Sequence, residues 1–349
     1  MKIGILTASR TDNNGTDLQA FAMQMLFQRY GNDVELIDYK CAKLENSRKA
    51  FYPHDLRGFL SIPYNVYRHY IHEQFRKQHF KVSDTEYDKN NISTNEYDVI
   101  VVGSDQIWNL YITGNDLSFF LPYKNCKQKK FSYAASLGIT DIKQWNDLFD
   151  IEKKLRDFEL VSVREESGVH TLAEIGIRAQ SDLDPILMMT QSEWNLLARV
   201  PKKLSHYILV YVVDQTKKAV SFARDYAKKN GLTVILVDYP IKPISGAKVK
   251  RFISVEEWIG LVRDADMIVT NSYHCLAFTF LYNKSFIWFE INNNKESNTR
   301  LLNLMINMTG SPCEQWAPIS LNWDDVNRRL QDLRYNSMKT IERIVANDD

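Results

Sequence analysis

Short apolar runs typical of strands alternate with longer segments of helical spacing in both halves of the chain. Between the first two runs, the apolar residues of Asp17–Tyr30 recur every three or four positions and stop before Gly31, which predicts a helix. This alternation is typical of parallel sheets with helices on their faces. The predicted strands are Ile3–Thr7, Val34–Tyr39, Val99–Val102, Lys130–Tyr133, Leu160–Val163, Ala179–Leu183, Tyr207–Val213, Thr233–Asp238, Met267–Thr270 and Phe286–Phe289.

The length of the chain favours two domains, because 349 residues exceed what one hydrophobic core usually serves. We place the first domain at residues 1–198 and the second at residues 199–349, with the boundary near Ala198–Ser205. The second domain ends in a charged amphipathic helix predicted over Trp323–Ala346. The expected fold class is therefore α/β, with two Rossmann-like, doubly wound domains.

Residues 41–95 break the alternation and are predicted to form a helical insertion in the first domain. Aromatic residues such as Tyr67 and Tyr70 are interleaved there with basic residues such as Arg68 and Lys77. One interpretation is a helix that binds a sugar or lies near a membrane, because aromatic faces stack on sugars and basic side chains attract anionic groups. The other is an amphipathic helix with a solvated basic face.

Composition and charge narrow the classes of function. The net charge is +1, so no global field recruits nucleic acid or a membrane, and an anionic small substrate needs a few local cations. None of the 4 cysteines forms a CxxC pair, and no His/Cys cluster has zinc spacing, so we expect no metal site. The sequence contains no long apolar span or signal peptide, which predicts a cytoplasmic protein without a transmembrane segment.

The loop Arg10–Thr16 joins the first strand to the first helix and lacks the GxGxxG fingerprint of dinucleotide-binding proteins. In a doubly wound sheet, such a loop lines the crevice at the carboxyl ends of the strands. Asn14, Gly15 and Gln19 are therefore candidates for binding a polar ligand at the helix N-terminus. The alternative is that Asn-Gly is simply a turn.

The third strand runs directly into Gly-Ser-Asp-Gln-Ile-Trp-Asn, where small and polar residues at a strand end suit contact with a ligand. We expect the Trp108 ring to pack on a sugar. The alternative is a turn at the strand end, with Asp105 capping the next element. The candidate residues of this block are Ser104, Asp105, Gln106, Trp108 and Asn109.

Two arginines are candidate ligands of an anion. Arg164 follows a predicted strand in Ser-Val-Arg-Glu, and arginine is suited to bidentate contact with phosphate or carboxylate. Arg300 lies at the start of a predicted helix after the last strand. The alternative for Arg164 is a salt bridge, and for Arg300 simple exposure to solvent.

The stretch Thr-Asn-Ser-Tyr-His that ends the strand Met267–Thr270 is the strongest candidate for chemistry. Asn271 or Ser272 can cap a helix that begins near Tyr273, and free amides with the helix dipole favour an anion there. His274 would then lie in the first turn, where a group that transfers protons is useful beside a bound phosphate. A structural histidine is the alternative.

Taken in order, these motifs resemble the polysaccharide pyruvyl transferase family. The resemblance runs from the N-terminus to about Leu302, and its most specific element is the Gly-Ser-Asp-Gln-x-Trp-Asn block at Gly103–Asn109. The Asn-x-Gly loop, Ser-Val-Arg-Glu, Asp184-Pro185 and Ser-Tyr-His complete it. The chain departs from the family in having Asn271 and Cys275 where relatives often have Asp and Gly.

The resemblance implies two domains that face a cleft, similar to the GT-B arrangement. It implies transfer of a pyruvyl unit from phosphoenolpyruvate to a sugar of a surface glycan or its lipid-linked precursor, giving a pyruvate ketal without a cofactor. The catalytic residue would be His274, and Arg164, Asn271, Ser272 and Arg300 would bind phosphoenolpyruvate. The implied partners are the donor and a sugar or lipid-linked acceptor, with peripheral association at the inner face of a membrane.

Two alternatives remain open at this point. The first is a nucleotide-sugar-dependent glycosyltransferase of GT-B type, although no Glu-x7-Glu pair is evident in the second half. The second is a non-catalytic protein that binds glycans, with Asn271 and Cys275 as remnants of a lost active site.

Overall fold

The computed structural model describes residues 1–45, 56–92, 95–121, 128–139, 141–145, 148–200, 204–237 and 245–346, with the backbone alone described at 56–61. The chain divides into two compact units. The first unit comprises Met1–Lys49, Gln74–Met188 and Asp332–Asp349, and the second comprises Ala50–Glu73 and Met189–Gln331. Residues 201–203 of the expected boundary and Asp238 of a predicted strand lie outside the described residues.

Parallel strands form the sheet of the first unit in the order β2-β1-β3-β4. Strands β5 and β6 pair with each other, and a bridge between Phe131 and Leu160 links β4 to β5. Chain order reverses between β1 and β3, and the loops at such a switch point form a crevice at the carboxyl ends of the strands. The strands are β1 Lys2–Leu6, β2 Asp33–Leu36, β3 Val99–Val102, β4 Lys129–Ser132, β5 Val161–Val163 and β6 Ala179–Ser181.

The sheet of the second unit is also parallel, with the order β11-β10-β7-β8-β9. Its switch point lies between β7 and β10, where Met267 pairs with Ile208 and Thr270 with Tyr211. The sequence did not predict β9, a strand with two lysines at the edge of the sheet. The strands are β7 Tyr207–Tyr211, β8 Thr233–Val237, β9 Lys248–Lys250, β10 Met267–Thr270 and β11 Phe286–Trp288.

Helices connect the strands, and each sheet has its own hydrophobic core. A capping box precedes the helix Val255–Asp264, because the side chains of Ser254 and Glu257 bond reciprocally to the two backbone amides. No helix of the described chain combines the length and apolar character needed to cross a membrane. The helices are α1 Asn14–Gln28, α2 Ala42–Glu45, α3 Leu56–His79, α4 Leu110–Thr113, α5 Leu148–Leu155, α6 Glu166–Ala173, α7 Pro185–Met188, α8 Gln191–Leu197, α9 Thr216–Asn230, α10 Val255–Asp264, α11 Tyr273–Leu281, α12 Lys295–Thr309 and α13 Trp323–Val345.

Two long helices divide their residues between the units, which differs from the expected division at residue 198. Helix α3 has its residues up to Glu73 in the second unit and its last turns in the first, while α13 belongs to the first unit from Asp332 onward. In the first unit, Leu183 N donates to Ser337 Oγ of α13 at 2.9 Å, and Thr340 Oγ1 donates to Asp182 Oδ1 at 2.8 Å. An amphipathic pattern shows that a helix has a buried face but not what covers it.

Candidate functional site: the carboxyl edges of the two sheets

The first predicted loop lies at the carboxyl end of β1, at the switch point of the first sheet. The Asn13 side chain caps α1 by accepting a bond from Thr16 N at 3.2 Å. The Gln19 amide nitrogen donates to Thr7 Oγ1 at 3.0 Å, and Gln19 is fully buried. Asn14 and Gly15 are buried as well. The loop therefore fixes the start of α1, and its predicted contact with a ligand stays a prediction.

The block after β3 approaches the backbone that follows β4. Gly103 has φ of +136°, and a Cβ added there would lie 2.1 Å from Tyr133 O, so only glycine fits. Ser104 is fully buried and donates from Oγ to Ala134 O at 2.9 Å. Asp105 Oδ2 accepts a bond from Thr16 Oγ1 at 3.0 Å, which joins the loops after β1 and β3. The two polar motifs thus meet at the switch point.

Trp108 belongs to the hydrophobic core, so the expectation that its ring packs on a sugar is wrong. The residue is fully buried, and its ring stacks on Phe120 with 5.3 Å between centroids. Its indole nitrogen donates to Phe119 O at 2.8 Å. Asn109 caps α4, accepting from Ile112 N, and donates to Gln106 Oε1 at 3.0 Å. The small and polar residues around Trp108 led to the expectation of ligand contact. The indole ring is large and apolar, and its packing against other aromatic rings keeps it in the hydrophobic core.

Arg164 follows β5 and is enclosed by carboxylates from three loops. Its Nη1 donates to Asp184 Oδ2 at 2.9 Å, its Nε donates to Glu165 Oε1 at 3.1 Å, and Nη1 lies 3.9 Å from Asp105 Oδ1. Only 1% of the Arg164 side chain is exposed, and Ser136 Oγ adds a bond to Glu165 at 2.7 Å. We call Arg164, Asp105, Glu165 and Asp184 the arginine cluster.

The charges of the arginine cluster favour a positioning role for Arg164. Three carboxylates and one guanidinium give a net negative charge, so a phosphate placed there would be repelled. Buried ion pairs of this kind are costly to break, because the remaining charges lose their partner in a medium of low polarity. The cluster therefore stabilises the loops after β3, β5 and β6 relative to one another. The predicted contact of Arg164 with phosphoenolpyruvate stays a prediction, and the net negative charge of the arginine cluster does not favour it.

The second sheet carries its polar motif at the end of β10. Ser272 occupies the N-cap of α11, but its side chain accepts no capping bond. Asn271 is buried, accepts a bond from Val213 N at 2.7 Å, and donates to Asp214 Oδ1 at 2.6 Å. The other Asp214 oxygen accepts from Asn292 N at 2.9 Å. Asp214 therefore joins the loops after β7, β10 and β11.

Sequence reasoning missed Asp214, although a signal was present. Asp214 follows an apolar strand in the same way that Asp105 follows β3. Polar residues at the carboxyl end of a strand are the pattern that identified the other candidate site residues. Asn271 also differs from its predicted role. Both polar atoms of its side chain join loops, so it positions the start of α11 rather than capping it.

His274 lies in the first turn of α11, half-buried, with its ring edge-to-face against Tyr273 at 5.4 Å. The helix begins at the switch point, where the dipole and the first amides favour an anion. The next residue, Cys275, is fully buried, and burial raises the pKa of its thiol to about 12. The thiol is therefore neutral at physiological pH, and Cys275 is a core residue rather than a nucleophile.

Arg300 lies on α12, which packs against α11. Its side chain is largely buried, and Nη2 donates to Ser297 Oγ at 2.8 Å. The predicted contact of Arg300 with an anion stays a prediction. Within the described residues, no group of three or more His, Cys, Asp and Glu side chains could hold a metal ion.

Comparison with known proteins gives a family and a fold. The family model described as polysaccharide pyruvyl transferase matches residues 13–293. No curated protein matches the chain. Two similar solved structures are UDP-GlcNAc 2-epimerases, from Neisseria meningitidis bound to UDP-GlcNAc (8% identity, 99% of both chains, TM-score 0.53) and from Methanocaldococcus jannaschii (12% identity, 99% of this chain and 98% of the other, TM-score 0.52). The expected α/β fold of GT-B type is thereby confirmed.

Proposed function

Because the chain belongs to the polysaccharide pyruvyl transferase family, we propose that it transfers a pyruvyl unit from phosphoenolpyruvate to a sugar of a surface glycan or its lipid-linked precursor. The observation that carries the proposal is the match over residues 13–293, which includes both polar strand ends of the first unit and the Ser-Tyr-His motif of the second. We further propose that the protein works in the cytoplasm, at the inner face of a membrane.

The chemistry requires one proton donor and a site for two anionic groups. The methylene carbon of phosphoenolpyruvate takes up a proton, and a sugar hydroxyl attacks C2. A second hydroxyl of the same sugar then displaces phosphate, so the products are a ketal and inorganic phosphate. No electrons are transferred, and the reaction needs no redox cofactor.

His274 supplies the proton in this proposal. Its place in the first turn of a helix at the switch point supports this role, because bound phosphate and a proton-transferring group would then be neighbours. Asn271 and Asp214 hold the loop from which the helix starts. They are positioning residues rather than ligands.

Arg300 and the first turn of α11, including Ser272, bind the anionic groups of the donor. Support comes from the packing of α12, which carries Arg300, against α11. A charge-assisted bond of this kind contributes about 1.5–3 kcal/mol, equivalent to roughly tenfold to a hundredfold in affinity. Arg164 positions the loops of the first unit.

The experiment is phosphate release from phosphoenolpyruvate, with and without galactose-, glucose- and mannose-type acceptors as lipid-linked or nitrophenyl glycosides. We expect release that depends on one acceptor, which would also identify the sugar class. Calorimetric binding of phosphoenolpyruvate without release would mean that the acceptors were wrong. Neither binding nor release would contradict the proposal and favour a nucleotide-sugar enzyme or a non-catalytic glycan-binding protein.

Two variants of the second unit sharpen this experiment. Arg300→Gln should raise the KM for phosphoenolpyruvate about tenfold to a hundredfold, since it removes the proposed cation. Arg328→Gln is the control, because the Arg328 side chain is 71% exposed and pairs with Asp325 on its own helix. Equal KM values for both variants would remove Arg300 from the donor site.

A further inference from the structure

Helix α3 and the segment after β9 expose a group of apolar side chains in the second unit. The exposed fractions are 48% for Val66, 40% for Tyr67, 54% for Tyr70 and 55% for Phe252. The Tyr67 and Phe252 rings meet edge-to-face at 4.9 Å, and Tyr67 lies 6.3 Å from Tyr70. We call these four residues the aromatic patch. Large apolar side chains in contact with one another at the surface indicate an interaction site.

The aromatic patch rests on two regular elements rather than on a loose loop. Tyr70 lies three residues after Tyr67 and four after Val66 on α3, so it is a neighbour of both on the helix surface. Phe252 follows β9 by two residues, and its ring lies 6.2 Å from the buried Tyr64. The contact with Tyr64 therefore holds the Phe252 ring against α3. The four side chains form a pre-organised surface.

The segment of β9 that leads to Phe252 is basic. Lys248, Lys250 and Arg251 precede Phe252, and residues 245–253 contain no acidic side chain. The described side chains of α3 up to residue 73 include Arg68, His69 and His72 and one acidic residue, Glu73, so with neutral histidines the excess comes from the β9 segment. The chain as a whole carries a net charge of only +1, so this is a local excess.

We propose that the aromatic patch docks on the surface of an anionic lipid membrane. Aromatic rings insert at the level of the headgroups, and lysine and arginine attract the lipid phosphates. The aliphatic Val66 and the phenyl ring of Phe252 favour a lipid surface over a glycan. A site that binds a sugar would add amide or carboxylate groups to hydrogen-bond the hydroxyls.

The inference rests on the proposed function in one respect, because docking serves an acceptor that is carried by a membrane lipid. The aromatic patch is the part of the molecule that contacts the lipid surface. Binding to vesicles nevertheless needs neither donor nor acceptor, and it can be measured separately from catalysis.

The experiment is flotation of the full chain with vesicles of phosphatidylcholine alone or mixed with phosphatidylglycerol. We expect binding to the anionic vesicles only, weakened by salt. The triple variant Lys248→Gln, Lys250→Gln, Arg251→Gln should lose about a hundredfold in partitioning, because each basic side chain near an anionic surface contributes about fivefold. The variant Tyr67→Ser, Tyr70→Ser, Phe252→Ser should bind at least tenfold more weakly.

The control is Tyr111→Ser combined with Phe149→Ser, since these aromatic side chains are 90% and 82% exposed and lie in the first unit. It should bind vesicles like the wild type. The proposal is overturned if wild type ignores anionic vesicles, if neutral vesicles bind equally, or if the control loses as much as the patch variant. Competition by a soluble oligosaccharide in place of lipid binding would assign the patch to a glycan.

Two further readouts separate this inference from the proposed function. A thermal melt verifies that the patch variant is folded, and phosphate release with a soluble nitrophenyl acceptor should match the wild type. Vesicle binding by a protein that neither binds phosphoenolpyruvate nor releases phosphate from it would contradict the pyruvyl transfer and leave the docking surface intact. Phosphate release without vesicle binding would do the reverse.

Discussion

At the carboxyl edge of the first sheet, Arg164 is enclosed by carboxylates from three loops. At the carboxyl edge of the second sheet, Asn271 and Asp214 join the loops, and His274 lies in the first turn of α11. Both edges place polar residues at a switch point. In the first, the charge of Arg164 is compensated by the three carboxylates of the arginine cluster. In the second, the amide of Asn271 and the carboxylate of Asp214 join the loops.

This difference separates residues that build a site from residues that work in it. A buried arginine with three carboxylates stabilises loops, because its charge is already compensated. A half-buried histidine at the start of a helix can exchange a proton with a ligand. Sequence motifs alone do not distinguish the two roles, since both follow a buried strand.

The sharpest test of the second edge is His274→Asn. We expect kcat to fall about 10²–10⁴-fold, the usual contribution of a general acid or base, with an unchanged free energy of unfolding. The matched control is His206→Asn in the same unit. His206 has φ of +53°, which asparagine tolerates, and its side chain is 79% exposed. Steady-state phosphate release measures both variants, and comparable activity in the two would refute the role of His274.

The corresponding test of the first edge is Arg164→Gln. Three carboxylates, of which Glu165 and Asp184 are buried, would lose their cation, so the free energy of unfolding should fall by about 3–5 kcal/mol. Urea denaturation measures this loss, and Arg164→Lys should retain part of the stability because it keeps the charge. A stable Arg164→Gln protein that had lost only its affinity for phosphoenolpyruvate would make Arg164 a ligand and erase the contrast between the edges.

A smaller effect is expected from Asp214→Asn. The change places an amide against one of two donors, Asn271 Nδ2 and Asn292 N, and should cost about 1–3 kcal/mol of stability. Because the start of α11 shifts with the loop, kcat should also fall. Asp225→Asn is the control, since Asp225 is 72% exposed and meets Arg224 only at 3.8 Å. Unfolding in urea compares them, and equal stabilities would mean that Asp214 does not hold the loops together.

The smallest effect concerns alkaline pH and Cys275. Burial raises the pKa of the folded thiol to about 12, above the ordinary value of 9.0, so the unfolded state loses its proton first. This contribution to stability is complete below the unfolded pKa and is lost as pH rises toward the folded one. For one such group, the free energy of unfolding falls by about 1 kcal/mol as the pH rises from roughly 8 to 10. Cys275→Ala should therefore flatten the stability profile over that range, and an unchanged slope would contradict the burial argument.

Much of the fold was predictable because it follows local patterns. The strands Val99–Val102 and Met267–Thr270 were predicted to the residue, since continuous apolar runs between polar loops are typical of buried parallel strands. The edge strand β9 was missed, because its two lysines give it no apolar run. The start of α11 was predicted because polar residues end the strand before it.

What the sequence by itself determined was therefore the alternation of strands and helices and the position of each polar motif at a strand end. Only the tertiary structure decided that Trp108 packs in the core, that Arg164 meets three carboxylates, and that α13 joins the first unit from Asp332 onward. The physical reason is that a strand end fixes where a side chain starts. What the side chain reaches depends on loops that are distant in sequence and are brought together by the order of the strands.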